Sequence, residues 1–227
     1  MSTGDPIVAQ YAELRCEMVE QIARHAQLAA RETGKAILGG NVMDVMKAVP
    51  RHEFVPVEVR AFAYADSPLP IGYDKTISQP FIVALMTDLL DLQAGDRVLD
   101  VGTGLGYQAA ILAKLVDRVY TVEILEELAD SARRRLAEQE VINVESRIGD
   151  GSKGWPEHAP FDKILVAAAP DLIPTPLLAQ LKPGGKMVIP AGIEDAQQLM
   201  LVEKNVKGQL NVEEILPVRF SSLMVSH

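Results

Sequence analysis

Val98-Leu99-Asp100-Val101-Gly102-Thr103-Gly104-Leu105-Gly106-Tyr107 decides how this chain is read: a short, mostly apolar run enters three closely spaced glycines, and a helix-forming stretch follows. A strand buried on both faces reads as such an apolar run, as in a parallel sheet. Glycines at its exit let the chain turn sharply and leave bare backbone for a ligand to approach. A tight turn without a ligand would carry the same glycines, so the next acid matters. Glu123 closes the following predicted strand about 20 positions on, where a carboxylate can accept from both hydroxyls of a ribose.

Outward from this stretch, short apolar runs alternate with helical ones. Arg97 to Val101 predicts a first strand with a helix to about Val116, and Arg118 to Glu123 a second with a charged helix through Glu140. Asn143 to Ile148, Lys163 to Ala169 and Lys186 to Pro190 predict three more, the last after a Pro183-Gly184-Gly185 turn. Gln198 to Lys204 and Ile215 to Val225, parted by a polar turn with Gly208, predict an antiparallel pair at the sheet edge. The expected fold is a doubly wound, Rossmann-like α/β sandwich with a mostly parallel sheet.

Upstream, Ile7, Tyr11, Leu14, Met18 and Ile22 fall on one face of an amphipathic helix from Ile7 to about Ala30. Thr33 to Asn41 reads as a break, with Asn41 capping a short helix that ends before Pro50. Residues 1–90 are expected to form an N-terminal helical region with the substrate-site element, and residues 91–227 the α/β domain, packed as one unit.

The glycine spacing selects the cofactor. A dinucleotide fingerprint needs glycine where Tyr107 stands, and Asp100 just before the loop would repel a pyrophosphate. The same charge attracts the ammonium and sulfonium of S-adenosylmethionine, which is the expected methyl donor, with S-adenosylhomocysteine as its product. Asp100, Gly102, Thr103, Gly104, Gly106 and Tyr107 are the loop candidates, and Glu123 with Ile124 those at the ribose. Asp150 and Gly151, after the third strand, are placed for the adenine, Asp150 accepting from its amino group.

Composition narrows the substrate and the setting. Acidic residues outnumber basic ones 31 to 22, giving a net charge of −9 with no basic stripe, so no nucleic-acid partner is expected. Arg133-Arg134-Arg135 lies in a charged helix between Asp130 and Glu138 and reads as a solvated face. Cys16 is the only cysteine, which excludes an intrachain disulfide and a thiolate metal site and fits a reducing cytoplasm. The N-terminal MSTGDPIVAQ has no leader pattern, and apolar runs such as Phe81 to Met86 fall far short of the ~20 residues a membrane helix needs. Neither a membrane nor a stable partner is expected. Only His158 lies near the predicted strand tips, and it reads, like His52, as a surface or satisfied loop residue; Trp155 reads as packing. The lack of a base is compatible with transfer to a carboxylate, since that group is ionised above a pKa of about 4. Alignment alone can then supply roughly 7–11 kcal/mol.

Gly72-Tyr73-Asp74-Lys75-Thr76-Ile77-Ser78-Gln79-Pro80 resembles the signature of protein-L-isoaspartate (D-aspartate) O-methyltransferases. Ala48-Val49-Pro50-Arg51, the glycine loop, Gly149-Asp150-Gly151, Pro160-Phe161-Asp162 and Ala167-Ala168-Ala169-Pro170 extend the resemblance over about residues 42–226. It departs at Leu105, where a small polar residue is usual, and at Asp100, where glutamate is common. The resemblance implies methyl transfer to the α-carboxylate of L-isoaspartyl residues in damaged proteins, the ester then closing to a succinimide that hydrolysis can return to aspartate. It also implies that Ser78 holds that carboxylate beside the transferred methyl, with Thr76, Ile77, Ala168, Ala169 and Pro170 shaping the pocket. Read from its neighbours alone, Ser78 is a helix N-cap before Gln79-Pro80, and both roles can hold. The rivals are a small-molecule methyltransferase, a nicotinamide-dependent oxidoreductase and a non-catalytic cofactor-binding module. The first 40 or so residues lie outside the resemblance.

Overall fold

The computed structural model describes residues 6–226, with side chains from Ala9 onward. Met1 to Asp5, part of the stretch read above for a leader, and the side chain of Ile7 lie outside the described residues. Helix α1 spans Pro6–Leu28 and buries Met18 and Ile22 completely, with Tyr11 and Leu14 partly covered, so the predicted apolar face is the packed one. A single turn, α2 (Ala30–Thr33), ends at Gly34, and α3 (Gly40–Ala48) follows. Asn41 lies inside α3 and caps nothing; the residue before that helix is Gly39, whose N–H is taken by Asp88 Oδ1 at 2.7 Å.

Residues 1–90 are not purely helical. Strands β1 (Leu69–Gly72) and β2 (Lys75–Ile77) form an antiparallel hairpin whose tip residues, Tyr73 and Asp74, both adopt a φ of 54°. Paired left-handed residues give a type I′ turn, whose twist matches that of the strands it joins. Helix α4 (Pro80–Leu89) follows at once and is buried nearly all round, as its unbroken apolar sequence requires.

The main sheet has seven strands in the order β5-β4-β3-β6-β7-β8-β9. Strands β3 (Arg97–Val101) and β4 (Arg118–Glu123) keep the predicted bounds, and β5 (Val144–Ile148) starts one residue late. Between them lie α5 (Tyr107–Ala113), shorter than expected, and α6 (Glu126–Glu138). Strand β6 is Phe161–Val166, earlier than the predicted Lys163 to Ala169, because the chain leaves the sheet at the cleft. After α7 (Thr175–Gln180), β7 runs Leu181–Ala191, and the predicted Pro183-Gly184-Gly185 turn is an irregularity within it: Phe161 faces Leu181, then Lys163 faces Lys186. Strands β3 to β7 pair in parallel, and β8 (Gln198–Lys204) and β9 (Leu210–Pro217) close the edge antiparallel. The last strand is therefore Leu210–Pro217 and not Ile215 to Val225. A polar-looking run, Asn211 to Glu214, is tolerated because β9 is an edge strand with those residues exposed.

One apolar cluster joins Met18, Ile22, Val42 and Met46 of the helical region to Val98, Ala109 and Leu112 of the sheet region. The hairpin and α4 are thus fixed against the α/β layers. No helix among the described residues is long and apolar enough to cross a membrane.

Candidate active site

The chain lays down β3, β4 and β5 outward in one direction, then crosses back to place β6 on the other side of β3. A cleft opens at such a reversal, beyond the carboxyl ends of the strands. Its floor is Gly102 and Gly104 after β3, Glu123 and Ile124 at β4, Gly151 after β5, and Ala167 and Ala168 after β6. Ile71, Lys75 and Thr76 of the hairpin stand over it, and Ser221 to Met224 of the tail form a further wall. The tail is tied down by Ala169 N–H donating to the Ser221 carbonyl at 2.9 Å and by Leu223 N–H donating to the Ala169 carbonyl at 2.8 Å.

Gly104 has a φ of +56°, and its N–H donates to Glu123 Oε2 at 2.8 Å. Glu123 Oε1 accepts from the N–H groups of Ile124 and Leu125 at 3.0 and 3.1 Å. Backbone donors thus hold the carboxylate at the cleft and lock the glycine loop to the second strand. Glu123 and Lys75 are the only charged residues in the lining, whose other side chains are largely apolar, Val101, Val122 and Leu128 among them. An adenine face, a ribose and a zwitterionic tail suit that set.

Other loop candidates lie below the cleft. Asp100, one position before the end of β3 in a sheet covered on both faces, is fully buried. Its Oδ2 accepts from Thr121 Oγ1 at 2.7 Å, Thr121 and Thr103 hydroxyls meet at 2.6 Å, and Oδ1 has no protein partner. Burial raises the Asp100 carboxyl to about 7, with the Thr121 hydrogen bond opposing that and the Glu123 charge adding to it. Gly106 lies before α5 and packs on Leu136 and Ala132 of α6, while the Tyr107 ring turns into the core beside Phe54. Asp150 spends its oxygens inside the protein: Oδ1 accepts from Ser152 N–H and Oγ at 2.9 and 2.6 Å, and Oδ2 from Ser226 N–H at 3.0 Å. Burial would raise its pKa, but these bonds and nearby Lys153 hold it at about 2.

On the other side of the hairpin, a cavity of about 380 Å³ is lined by Thr76, Ser78, Phe81 and Ile82, by His25 of α1, and by Leu216 to Ser221. Ser78 and Thr76 also line, with Ile77, a narrower space shared with Gly102, Thr103, Gly104 and Leu105. Ser78 therefore stands between the glycine loop and the groove. It is not the cap of α4: Gln79 precedes the helix, with no capping bond from its own side chain. The cap comes from afar, as Asp66 Oδ1 accepts from Phe81 N–H at 2.8 Å while Oδ2 accepts from Gln79 Nε2 at 3.1 Å and meets His25 Nδ1 at 2.9 Å. Ala168 lines the cleft, whereas Ala169 is buried as the tail's anchor and Pro170 accepts from Gly192 N–H at 3.0 Å, outside both spaces.

Of the remaining sequence readings, Trp155 is buried against Tyr120, and His158 meets Glu145 at 3.1 Å, away from the cleft. His52 takes the satisfied of its two readings, buried and bonded to Tyr64 Oη at 2.5 Å. Arg133 pairs with Asp130 at 2.7 Å on an exposed face, but Arg135 reaches the Glu53 carbonyl. Sequence reasoning missed Lys75, His25 and the tail at Ser221 to Met224. Lys75 stood inside the quoted signature, whereas nothing in the tail's sequence marks it as a cleft wall.

The reversed strand order, the glycine loop at the reversal and the fixed acid on the next strand define a Rossmann-like methyltransferase. The chain belongs to the protein-L-isoaspartate(D-aspartate) O-methyltransferase family, which it matches over residues 23–226, so the likeness reaches back into α1, further than the sequence motifs extended. It is 57% identical to protein-L-isoaspartate O-methyltransferase 1 of a Polaromonas species over 222 residues, 98% of this chain and 94% of the relative. It is 54% identical to protein-L-isoaspartate O-methyltransferase 2 of Syntrophobacter fumaroxidans over 218 residues, 96% and 88% of the two chains. Among solved structures, one titled protein-L-isoaspartate O-methyltransferase superposes with a TM-score of 0.78 at 26% identity, covering 92% of this chain and 65% of the other. A second, from Plasmodium falciparum and titled as a complex with S-adenosyl-L-homocysteine, shares the fold at 23% identity with a TM-score of 0.77.

Proposed function

We propose that this chain transfers a methyl group from S-adenosyl-L-methionine to the α-carboxylate of L-isoaspartyl residues in damaged proteins, initiating their repair. The observation that carries the reading is Ser78, lining both the peptide-sized groove and the space over the glycine loop. When bound, the cofactor supplies a methyl on a sulfonium. Everything else falls to the chain. Glu123 holds the ribose hydroxyls, and Gly102 and Gly104 let the methionine portion lie against backbone. Ser78 donates its hydroxyl to the substrate carboxylate, which needs no base because it arrives ionised. The hairpin residues Ile71 and Thr76 exclude water from the junction, where fixed geometry is the principal source of rate. We place the enzyme in the cytoplasm, acting on peptide and protein substrates without nucleic acid, a membrane or a stable partner.

Two synthetic peptides that differ only in an L-aspartyl or an L-isoaspartyl linkage test this reading. With methyl-labelled cofactor, the isoaspartyl peptide gains base-labile methyl groups and releases methanol, and the aspartyl peptide does not. Equal labelling of both makes the enzyme a general carboxyl methyltransferase. Labelling of neither, with cofactor binding demonstrated, moves the acceptor to a small molecule.

A further inference from the structure

Arg51 is a fully buried guanidinium with no carboxylate within ion-pair distance among the described residues. A charge so placed costs several kcal/mol unless something in the interior uses it. Its Nε donates to the Ala63 carbonyl at 2.9 Å and its Nη2 to the Ser78 carbonyl at 2.8 Å. Its Cζ lies 4.9 Å from the centre of the Tyr107 ring, at the start of the helix that leaves the glycine loop. Nη1 and the Tyr107 hydroxyl, both buried, have no hydrogen-bond partner. One planar group thus touches the backbone of the acceptor residue and the first side chain beyond the donor loop. Arginine can do both because its delocalised charge can sit over a ring while its rigid fork donates to backbone carbonyls.

We infer that Arg51 is a positioning residue for methyl transfer: it sets the distance and angle between Ser78 and the glycine loop. The inference rests on the proposed role of Ser78. It does not place Arg51 in contact with substrate, for Arg51 lines neither the groove nor the cleft. Misplacement of aligned groups by about 1 Å can cost on the order of 100-fold in rate, with binding of either partner less affected.

R51M and R51K separate this from a purely structural role. R51M removes the buried charge for an apolar chain of similar length, a change a core often accepts. Both variants are checked for folding by thermal melting, and S-adenosylhomocysteine binding is measured by calorimetry. The expected result for R51M is a kcat for the isoaspartyl peptide about 100-fold below wild type, with cofactor affinity within about threefold. R51K, which can still donate to Ser78 but lacks the planar fork that reaches Tyr107 at the same time, recovers part of that loss. A folded R51M or R51K with wild-type kcat overturns the inference, as does a loss of cofactor affinity that matches the loss of rate. If R51M does not fold, R51K decides by the same two readings. Wild-type enzyme run beside them keeps the readings apart, since failure of the proposed acceptor shows as no peptide labelling in wild type itself.

Discussion

Around Gly102 to Gly106 the groups that face the cleft are backbone, presented by strands whose bounds follow from the sequence almost residue by residue. Around Ser78 they are side chains on a hairpin and a short connection, held by bonds between residues far apart in the chain: Asp66 to Phe81, Arg51 to Ser78, Lys35 to Asp88 at 2.5 Å. The donor half is therefore a local structure stiffened by a parallel sheet. The acceptor half is a tertiary structure that exists only once the helices have packed. A cofactor common to many enzymes can be bound by the first, while the geometry peculiar to one substrate resides in the second.

The largest effect should come from the donor half. Gly104→Val puts a branched side chain at a φ of +56°, with its Cβ about 3.4 Å from Ile71 Cδ1, at the residue whose N–H anchors Glu123. Left-handed backbone is costly for a β-branched residue, and the side chain intrudes where the cofactor meets the loop. Affinity for S-adenosylhomocysteine, measured by calorimetry, is expected to fall about 100-fold or more in a protein that still melts cooperatively. Wild-type affinity would put the cofactor elsewhere than this loop.

Asp100 gives its effect in stability rather than in affinity. Its carboxyl is raised from 3.8 to about 7 in the folded state, chiefly by burial, so the native protein holds a proton there that the unfolded chain releases. The stability this residue contributes is full below pH 4 and is lost as pH rises through about 7. Asp100→Asn has no such proton to lose. The gap in unfolding free energy, variant minus wild type, should widen between pH 4 and pH 8 by up to about 4 kcal/mol. A gap that stays constant across urea titrations at those pH values would show that Asp100 is ionised throughout.

What could be read from the sequence follows the same division. Strands β3, β4 and β8 keep their predicted bounds because each is an apolar run closed by a polar or glycine break, and the glycine spacing carries the cofactor class. The pattern misplaces strand β9 because an edge strand need not be apolar, and its Asn211 to Glu214 segment reads as loop. Local pattern assigns the cap of α4 to Ser78 because Ser-x-Pro satisfies the local rule, while the group that fills the role is 15 positions from its partner Phe81. Nothing in local pattern can announce a bond whose two ends are brought together by packing. The same holds for Arg51, visible in a quoted motif but silent about what it touches.

The smallest effect tests that misassignment. If Asp66 caps α4, Asp66→Ala leaves the Phe81 N–H without its partner and removes the acceptor shared by Gln79 and His25. A lost cap costs about 0.5–2 kcal/mol, so this variant should melt earlier than wild type while binding S-adenosylhomocysteine as well. Ser78→Ala should do the reverse. It removes no capping bond, so Tm stays near wild type, yet loss of a hydrogen bond to a charged acceptor, worth about 1.5–3 kcal/mol, should lower turnover of the isoaspartyl peptide roughly 10- to 100-fold. The pair separates the two assignments because each variant is silent in the other's assay on the cofactor side. A Ser78→Ala protein that melts early and turns over normally per folded molecule would return the cap to Ser78 and take the substrate carboxylate away from it. An Asp66→Ala protein with unchanged Tm would show that the helix N-terminus finds water as good a partner as the distant carboxylate.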